Sequence, residues 1–442
     1  MACFRSPLLL IVFAAFALRC AAAIVTEKSP IFPAYYYTDA QMYDRDARRL
    51  LRPLTADEVK LGILAPGREL YTNWIAALYR VFTPVPLVPK LFNALLASLA
   101  ILLFGLLARF AVGGRAALLA TLLLALWPTH VFYSSQNLKE AWMALAVVAA
   151  VYFYLRPLSP SARGGVPSSC GQYALASASL VLCGLLRGHL IPILSAALFA
   201  AALLRGWERR GTPGGWRLPA LAAVFIAATF ITYRPLSTRI VKPLSASDLK
   251  YDAYFLKVAT PPSDAVSPPQ ASPPPAVGLR LPGPRWISDF RRLSQDHDRE
   301  WANNNMERKI ETQLFPDATF NTWRDLLFFA PKAAFYSLFM PLPGLYPMDG
   351  KLGRILASME NVLALLLFFF ALAGLRRGFD RAVGFPLLAL FSSIWLAYSI
   401  FEFDLGSATR HRMLYLPFLL PFAAAGLDPI LCRWSRRWRS LD

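Results

Sequence analysis

Carboxylates cluster near the beginning of the chain, directly after an apolar segment. The stretch TDAQMYDRDARRL contains Asp39, Tyr43, Asp44 and Asp46. If residues 38–51 form a helix, Asp39, Tyr43 and Asp46 share one of its faces. Asp44 then points away from that face. Carboxylates at a membrane boundary are costly unless they are solvated or paired, and a carboxylate can act as a general base. We therefore predict catalytic roles for Asp39 and Asp46 and a substrate-orienting role for Tyr43.

A structural explanation of the same acidic residues stays open. A carboxylate in the first turn of a helix is stabilised by the helix dipole, which would account for Asp39. Asp46 would then pair with Arg45 or Arg49 on the helix surface. We favour a structural role for Asp44 and a catalytic role for Asp39.

A basic cluster near the end of the chain starts another apolar segment. The stretch DLGSATRHRMLYLPF places Arg410, His411 and Arg412 on the side of the membrane where the positive-inside rule disfavours arginine. Arginine matches the geometry of phosphate, and a helix N-terminus adds partial positive charge. We predict a phosphate site formed by these three residues. The alternative is that they pair with Glu402, with Asp404 or with the acids of the first loop.

Two short turns between apolar segments carry further charged side chains. SSQNLKE includes Lys139 and Glu140, and RGH includes Arg187 and His189. Lys139 could meet an anionic headgroup that Glu140 orients, or both could be side chains that extend from a helix end toward water. Arg187 and His189 repeat, more weakly, the pattern of cations on the disfavoured side. We predict phosphate binding for Lys139 and substrate orientation for Glu140, Arg187 and His189.

The elements that carry these clusters are apolar blocks of membrane-spanning length. The chain has 442 residues, of which 56% are hydrophobic and 17% charged, and its mean hydropathy is +0.42. Blocks of about 18–22 apolar residues cross a bilayer as helices. The sequence predicts an all-α polytopic membrane protein with about ten transmembrane helices, at 7–25, 89–109, 115–133, 138–155, 172–187, 189–205, 217–233, 355–375, 384–401 and 412–431.

The arginines set the predicted topology. They lie mostly in short loops on alternate sides of the spans, so both termini are expected to be cytoplasmic. This placement accounts for the net charge of +19 without nucleic acid as a partner. We expect residues 326–347, which prolines interrupt, to dip into the membrane without crossing it, because a crossing would invert the arginine pattern.

Three modules follow from this topology. Residues 1–240 form an N-terminal transmembrane module whose first outer loop, 26–88, carries interfacial helices and the acidic cluster. Residues 241–354 form a second long outer loop, with a proline-rich part at 259–284 followed by interfacial helices. Residues 355–442 form a C-terminal transmembrane module.

Four passages resemble the GT-C glycosyltransferases: TDAQMYDRDA, WPTHVFYSSQNLKEAWMAL, FYSLFMPLPGLYPMDGKLGRILASMENVL and FDLGSATRHRMLYLPFLLPFAAAGL. Within that superfamily the sequence resembles the bacterial relatives of the dolichyl-phosphate-mannose protein mannosyltransferases and the lipid A aminoarabinose transferases. This resemblance implies a protein of the bacterial inner membrane that transfers a sugar from a polyprenyl-phosphate donor to a glycan, lipid or protein at the periplasmic face.

The resemblance also implies residue roles. Asp39 would be the base, and Arg410 and Arg412, with Lys139, would bind the donor phosphate. DRD resembles metal-binding acidic pairs of some members, but we assign no metal site because Asp44 faces away from Asp46. Dependence on a divalent metal stays open.

Two other functions compete with this interpretation. An O-antigen polymerase or ligase also uses polyprenyl-linked sugars, but it concentrates catalytic residues in its large loop, whereas here the first loop is rich in acids. A lipid or polysaccharide transporter would place charges in the middle of the membrane and often shows inverted repeats. We find no convincing repeat, and most charges lie at the ends of spans.

Overall fold

The computed structural model describes most of the chain. The described residues are 2–29, 38–52, 69–159, 166–211, 215–240, 284–306, 312–347 and 351–439. The predicted proline-rich segment lies outside the described residues except for Pro284.

Helices form nearly all the regular structure of these residues. Within them no strand forms, and a single isolated bridge pairs Gln313 with Asp404. The helices are α1 (Ala2–Lys28), α2 (Thr38–Arg49), α3 (Glu69–Val81), α4 (Leu87–Val112), α5 (Gly114–Leu126), α6 (Pro128–Ser134), α7 (Glu140–Leu155), α8 (Val166–Leu186), α9 (Leu190–Glu208), α10 (Arg217–Ile240), α11 (Arg285–Met306), α12 (Trp323–Phe339), α13 (Leu352–Leu375), α14 (Arg381–Phe401) and α15 (Leu405–Arg439).

Each predicted apolar segment is largely helical, and Trp127 interrupts the segment 115–133. Seven helices of the described chain are long and apolar enough to cross a membrane, and α5 with α6 makes an eighth if this pair, bent by 56°, counts as one span. Two shorter apolar helices, Glu140–Leu155 and Pro219–Ile231, correspond to the other two predicted segments. The polytopic all-α architecture is therefore confirmed, and the number of ten crossings stays a prediction.

Helices also form in the two segments predicted to be long outer loops, and their position at the membrane interface stays a prediction. α2 and α3 belong to the first loop, and α11 and α12 to the second. α12 covers much of the segment 326–347, ends at Phe339 and is not among the helices that meet the criterion for crossing a membrane. Whether it dips into the membrane stays a prediction, as do the module boundaries at 240 and 354.

α13 and α15 pack closely enough to exclude side chains at their crossing. A Cβ atom on Gly374 would lie 1.9 Å from the carbonyl oxygen of Phe422, and one on Gly426 would lie 2.0 Å from that of Phe370. Only glycine permits this approach of two helix backbones. The crossing fixes α15, whose second turn carries the basic cluster, against the rest of the bundle.

The break between α5 and α6 is stabilised by hydrogen bonds to a residue of another helix. Trp127 is extended there and Pro128 starts α6. The carboxylate of Glu360 on α13 accepts hydrogen bonds from Nε1 of Trp127 at 2.6 Å and from the backbone N–H of Thr129 at 2.9 Å, and also from the Thr129 hydroxyl. Groups that the break frees from the helix ladder are thus satisfied inside the bundle, as a membrane requires.

The two ends of the bundle differ in how they are joined. At one end, the N–H of Asp380 donates to the carbonyl of Ala111 at 3.1 Å, and Arg115 pairs with Asp428 at 2.8 Å. At the other end, α2, the start of α7, the α8–α9 turn and the start of α15 meet. The first end carries the short arginine-rich loops, which agrees with the predicted alternation. Which compartment each end faces stays a prediction.

Candidate active site

α2 is held in place by aromatic packing. Tyr43 is buried and meets Tyr71 of α3 edge to face, with ring centroids 5.0 Å apart. Asn93 donates to the Tyr71 hydroxyl at 2.7 Å and so connects α3 with α4. The buried face of α2 therefore fixes the position of Asp39 at its first turn. Tyr43 supports the helix from within this cluster, and its substrate-orienting role stays a prediction.

Asp39 meets the basic cluster from the far end of the chain. Nη1 of Arg410 donates to Oδ2 of Asp39 at 2.5 Å, across 371 residues of sequence. The Arg410 side chain is 23% exposed and that of Asp39 38%, so both can be reached by a ligand. The structure therefore joins the acidic and basic clusters at one end of the bundle.

Glu140 links two guanidinium groups. Its Oε1 lies 3.2 Å from Nε of Arg410 and 3.1 Å from Nη2 of Arg187. Glu140 starts α7 and is nearly fully buried, and among the described residues its Oε2 has no hydrogen-bond partner. One buried carboxylate thus orients two cations, because a buried charge must be paired to be tolerated.

The α8–α9 turn brings the two predicted residues of the RGH motif to the same end. Nε2 of His189 lies 2.8 Å from the hydroxyl of Tyr398, and Arg187 donates to the same hydroxyl at 3.3 Å. Burial, with the nearby charges of Arg187 and Lys139, lowers the pKa of His189 to about 4, so this imidazole is neutral at pH 7. Lys139 donates to the carbonyl of Leu186 at 3.1 Å.

His411 and Glu402 form a buried pair beside this turn. Nδ1 of His411 lies 2.6 Å from Oε2 of Glu402, and the ring of Tyr398 covers His411 at a centroid distance of 4.3 Å. Burial, with the neighbouring charge of Asp404, raises the pKa of Glu402 to about 8. At neutral pH Glu402 is therefore protonated and donates to Nδ1.

Arg412 lies apart from this group. Its Nε donates to the carbonyl of Ser337 at 3.0 Å, and its other nitrogens donate to Asn361 and to the carbonyl of Met340. Arg412 is fully buried because two residues turn a helix by about 200°, which directs it to α12 and α13 rather than to Asp39. The geometry thus separates Arg412 from the other predicted phosphate-binding residues.

The remaining acids of α2 are paired on its surface. Asp44 accepts from Nε of Arg48 at 2.9 Å and from the hydroxyl of Tyr79, as a structural role would require, and that role stays a prediction. Asp46 lies 3.5 Å from Arg45 and 3.9 Å from Arg49, as the structural alternative predicted. Its catalytic role stays a prediction.

No metal cluster is found among the described residues, where no group of three or more His, Cys, Asp or Glu side chains is placed to hold an ion. Dependence on a divalent metal therefore stays open.

Two of the residues at the site were not predicted to be functional. Tyr398 joins Arg187, His189 and His411, but a tyrosine near the end of a span is typical of the interfacial aromatic belt. Glu402 was considered only as a partner of the arginines. Its position next to Asp404, before a span that starts with arginine and histidine, was the signal available.

An apolar groove opens between α1 and the bent span. Its volume is about 350 Å³. Phe132, at its α6 side, packs against Tyr133 with ring centroids 5.2 Å apart. The lining residues are Leu18, Ala22, Val25, Thr26, Leu126, Pro128, Val131 and Phe132.

Comparison with known proteins finds similarity in solved structures alone. No protein-family model matches the chain, and no curated protein matches it. The chain is similar to the archaeal oligosaccharyltransferase AglB from Archaeoglobus fulgidus in complex with an inhibitory peptide and a dolichol-phosphate, with 14% identity over 98% of this chain and 51% of that chain and a TM-score of 0.47. It therefore spans about half the length of that protein. It is also similar to ArnT from Cupriavidus metallidurans bound to undecaprenyl phosphate, with 15% identity over 96% of this chain and 77% of that chain and a TM-score of 0.39.

Both proteins are GT-C membrane glycosyltransferases, the superfamily that the sequence resembles. Because both TM-scores are below 0.5, the similarity carries no argument about the site, the donor or the acceptor. The function must therefore be inferred from the residues of this chain.

Proposed function

We propose that this chain is a membrane glycosyltransferase that moves a sugar from a polyprenyl-phosphate donor to an acceptor hydroxyl of a glycan, lipid or protein. The observation that carries the proposal is the contact between Asp39 and Arg410. A partly exposed carboxylate and a partly exposed guanidinium meet there, beside a second guanidinium that Glu140 holds. Sugar transfer from a lipid phosphate needs both charges close together.

Each charge has a distinct task in the reaction. Asp39 takes the proton of the acceptor hydroxyl as its oxygen attacks the anomeric carbon. The bond between that carbon and the phosphate oxygen breaks, and the polyprenyl phosphate leaves with one more negative charge. Arg410 stabilises this charge because it is fixed in place before the reaction.

Arg187 and Lys139 supply further positive charge for the phosphate. Glu140 keeps Arg187 and Arg410 oriented through one carboxylate oxygen. Arginine held in this way loses little conformational freedom when it binds an anion. These cations therefore bind the phosphate, and Asp39 lies on the side of the site from which the acceptor enters.

The apolar groove between α1 and the bent span accommodates the lipid chain of the donor. Its lining is almost wholly aliphatic and aromatic, which suits an isoprenoid. We place the protein in the bacterial inner membrane, with both termini in the cytoplasm and the site at the periplasmic face, as the arginine pattern favours.

Replacement of Asp39 tests the role of the base. In Asp39→Asn we expect sugar transfer to fall by about 100-fold or more, since general-base catalysis contributes about 10²–10⁴-fold. Transfer is measured in membranes supplied with polyprenyl-phosphate sugars, together with the amount of protein in the membrane. The matched control is Asp44→Asn on the same helix, which should keep transfer within about twofold of the wild type. Equal activity of the two variants would contradict the proposal.

The lipid that copurifies with the protein tests the donor class. Mass spectrometry should find a polyprenyl phosphate with the wild-type protein and less of it with Arg410→Gln. Bulk phospholipid alone in both preparations would count against a polyprenyl-phosphate donor.

Transport of a lipid or polysaccharide is the alternative that one observation favours. Arg19, Glu360 and Arg412 are buried within spans, and intramembrane ionisable groups often mark transport pathways. Each is bonded to backbone, amide or imidazole groups of neighbouring helices, which also explains their presence as structural. A transporter would move the lipid across the bilayer with its sugar–phosphate bond intact, so product analysis separates the two functions.

A further inference from the structure

The Glu402–His411 pair lies inside the proposed phosphate site but has no task in the reaction as described so far. The two side chains are 4% and 15% exposed and their Oε2 and Nδ1 atoms are 2.6 Å apart. The ring of Tyr398 covers the histidine, and the hydroxyl of the same tyrosine accepts from Arg187. The pair is thus built into the wall that also holds one of the phosphate-binding cations.

The charged and titratable groups around the pair come from several elements. Arg187, His189, Arg410 and Lys139 act on His411, and Asp404, Arg187, Arg410 and Arg291 act on Glu402. Apart from the neutral His189 and the carboxylate of Asp404, all of these groups are cations.

Two of these neighbours are committed to other contacts. Arg291 on α11 donates to the carbonyls of Ile400, at 3.0 Å, and Glu402. Asp404 accepts from the N–H of Ser407 at 3.0 Å and from the hydroxyl of Thr312. Arg187 and Arg410 are instead both held by Glu140, so these two cations stay within the proposed phosphate site.

We propose that the Glu402–His411 pair is part of the donor's phosphate site and that the phosphate binds there only while the pair holds its proton. This inference rests on the proposed function, because it concerns the same site. With the proton, the pair is neutral and the neighbouring cations face the phosphate. Without it, Glu402 is a carboxylate that pairs with those cations and repels the anion.

The direction in which phosphate affinity changes with pH follows from the protonation state of Glu402. Burial raises the pKa of Glu402 to about 8. Below that pH the pair keeps its proton and phosphate affinity is full. As the pH rises through about 8 the proton is lost and the affinity falls, and by linkage a bound phosphate raises the pKa of the pair in return.

The test measures binding of farnesyl phosphate to the full chain in detergent micelles at pH 7.5 and pH 9.5 at constant ionic strength. The second phosphate proton has a pKa of about 6, so the charge of the probe is nearly constant over this range. We expect wild-type affinity to be roughly 20-fold weaker at pH 9.5, as loss of one proton near pH 8 requires. In Glu402→Gln, whose amide cannot ionise, the change should be less than about threefold.

The outcomes separate this inference from the proposed function. Tight wild-type binding that is equal at both pH values overturns the inference and leaves the proposed function standing, and this measurement needs no variant. A pH dependence of the same size in Glu402→Gln, checked for monodisperse elution, also overturns it, because another group must then titrate. Failure of the wild type to bind farnesyl phosphate at either pH overturns both.

Discussion

Arg410 and Arg412 are two residues apart on one helix and lie in opposite kinds of environment. Arg410 is partly exposed and contacts the carboxylates Asp39 and Glu140. Arg412 is fully buried and donates to two backbone carbonyls and the amide oxygen of Asn361. An anionic ligand could replace the carboxylates as the partner of Arg410. The carbonyl and amide oxygens around Arg412 are hydrogen-bond partners within the fold.

The contrast shows that neighbouring basic residues of one motif can have different roles. A helix presents residues two apart to nearly opposite sides. Arg410 therefore faces α2 at one end of the bundle, and Arg412 faces the packed interface of α12 and α13. The first position favours binding and chemistry, and the second favours assembly.

Replacement of Arg412 should have the largest effect on stability. Arg412→Met leaves the carbonyls of Ser337 and Met340 and the amide of Asn361 without their donor, and each unsatisfied buried group costs about 1–3 kcal/mol. We expect a large loss of protein from the membrane and a lower unfolding temperature. Thermal unfolding of the solubilised protein measures this. An unfolding temperature equal to that of the wild type would contradict the structural role of Arg412.

Replacement of Arg410 should instead affect transfer. Arg410→Gln removes a cation from the leaving phosphate, and loss of one such group typically costs about 100- to 1000-fold in rate. Arg187 still pairs with Glu140, so we expect the amount of folded protein to stay near that of the wild type. The measurement is sugar transfer per folded protein. If unfolding temperature falls as far as in Arg412→Met while transfer per folded protein is kept, the two arginines do not differ in the way proposed.

The smallest effect is expected for Asp46. Its partners Arg45 and Arg49 are 58% and 38% exposed, and such surface pairs contribute about 0–1 kcal/mol. Asp46→Asn should therefore keep transfer within about twofold and leave the unfolding temperature nearly unchanged. A loss of transfer as large as that of Asp39→Asn would instead support the catalytic role that the sequence predicts for Asp46.

Much of the fold could be predicted because hydrophobic length is a local property. The predicted segments 355–375 and 384–401 correspond to α13 and α14, which begin three residues earlier. The meeting of acids and cations at one end followed from the alternation of arginines. The bend between α5 and α6 was not predicted, because Pro128 marks a break but the hydrogen bonds that stabilise it come from Glu360 on a distant helix.

The details of the site depend on which helix face meets which neighbour. Sequence reasoning treated Arg410 and Arg412 alike because both lie on the disfavoured side, and that rule contains no information on helix rotation. Tyr398 was missed because it lies one turn from the end of its span, where tyrosine is common for other reasons. Its role follows from the α8–α9 turn, which brings Arg187 and His189 to its hydroxyl.

The interruption at Trp127 also shapes the apolar groove beside α1. The chain changes direction by 56° there, and the groove is lined by α1 on one side and by residues before and after the interruption on the other. For the proposed lipid donor, the position of Pro128 in the chain would therefore set where the tail lies, and Glu360 satisfies the backbone amide that the same bend frees.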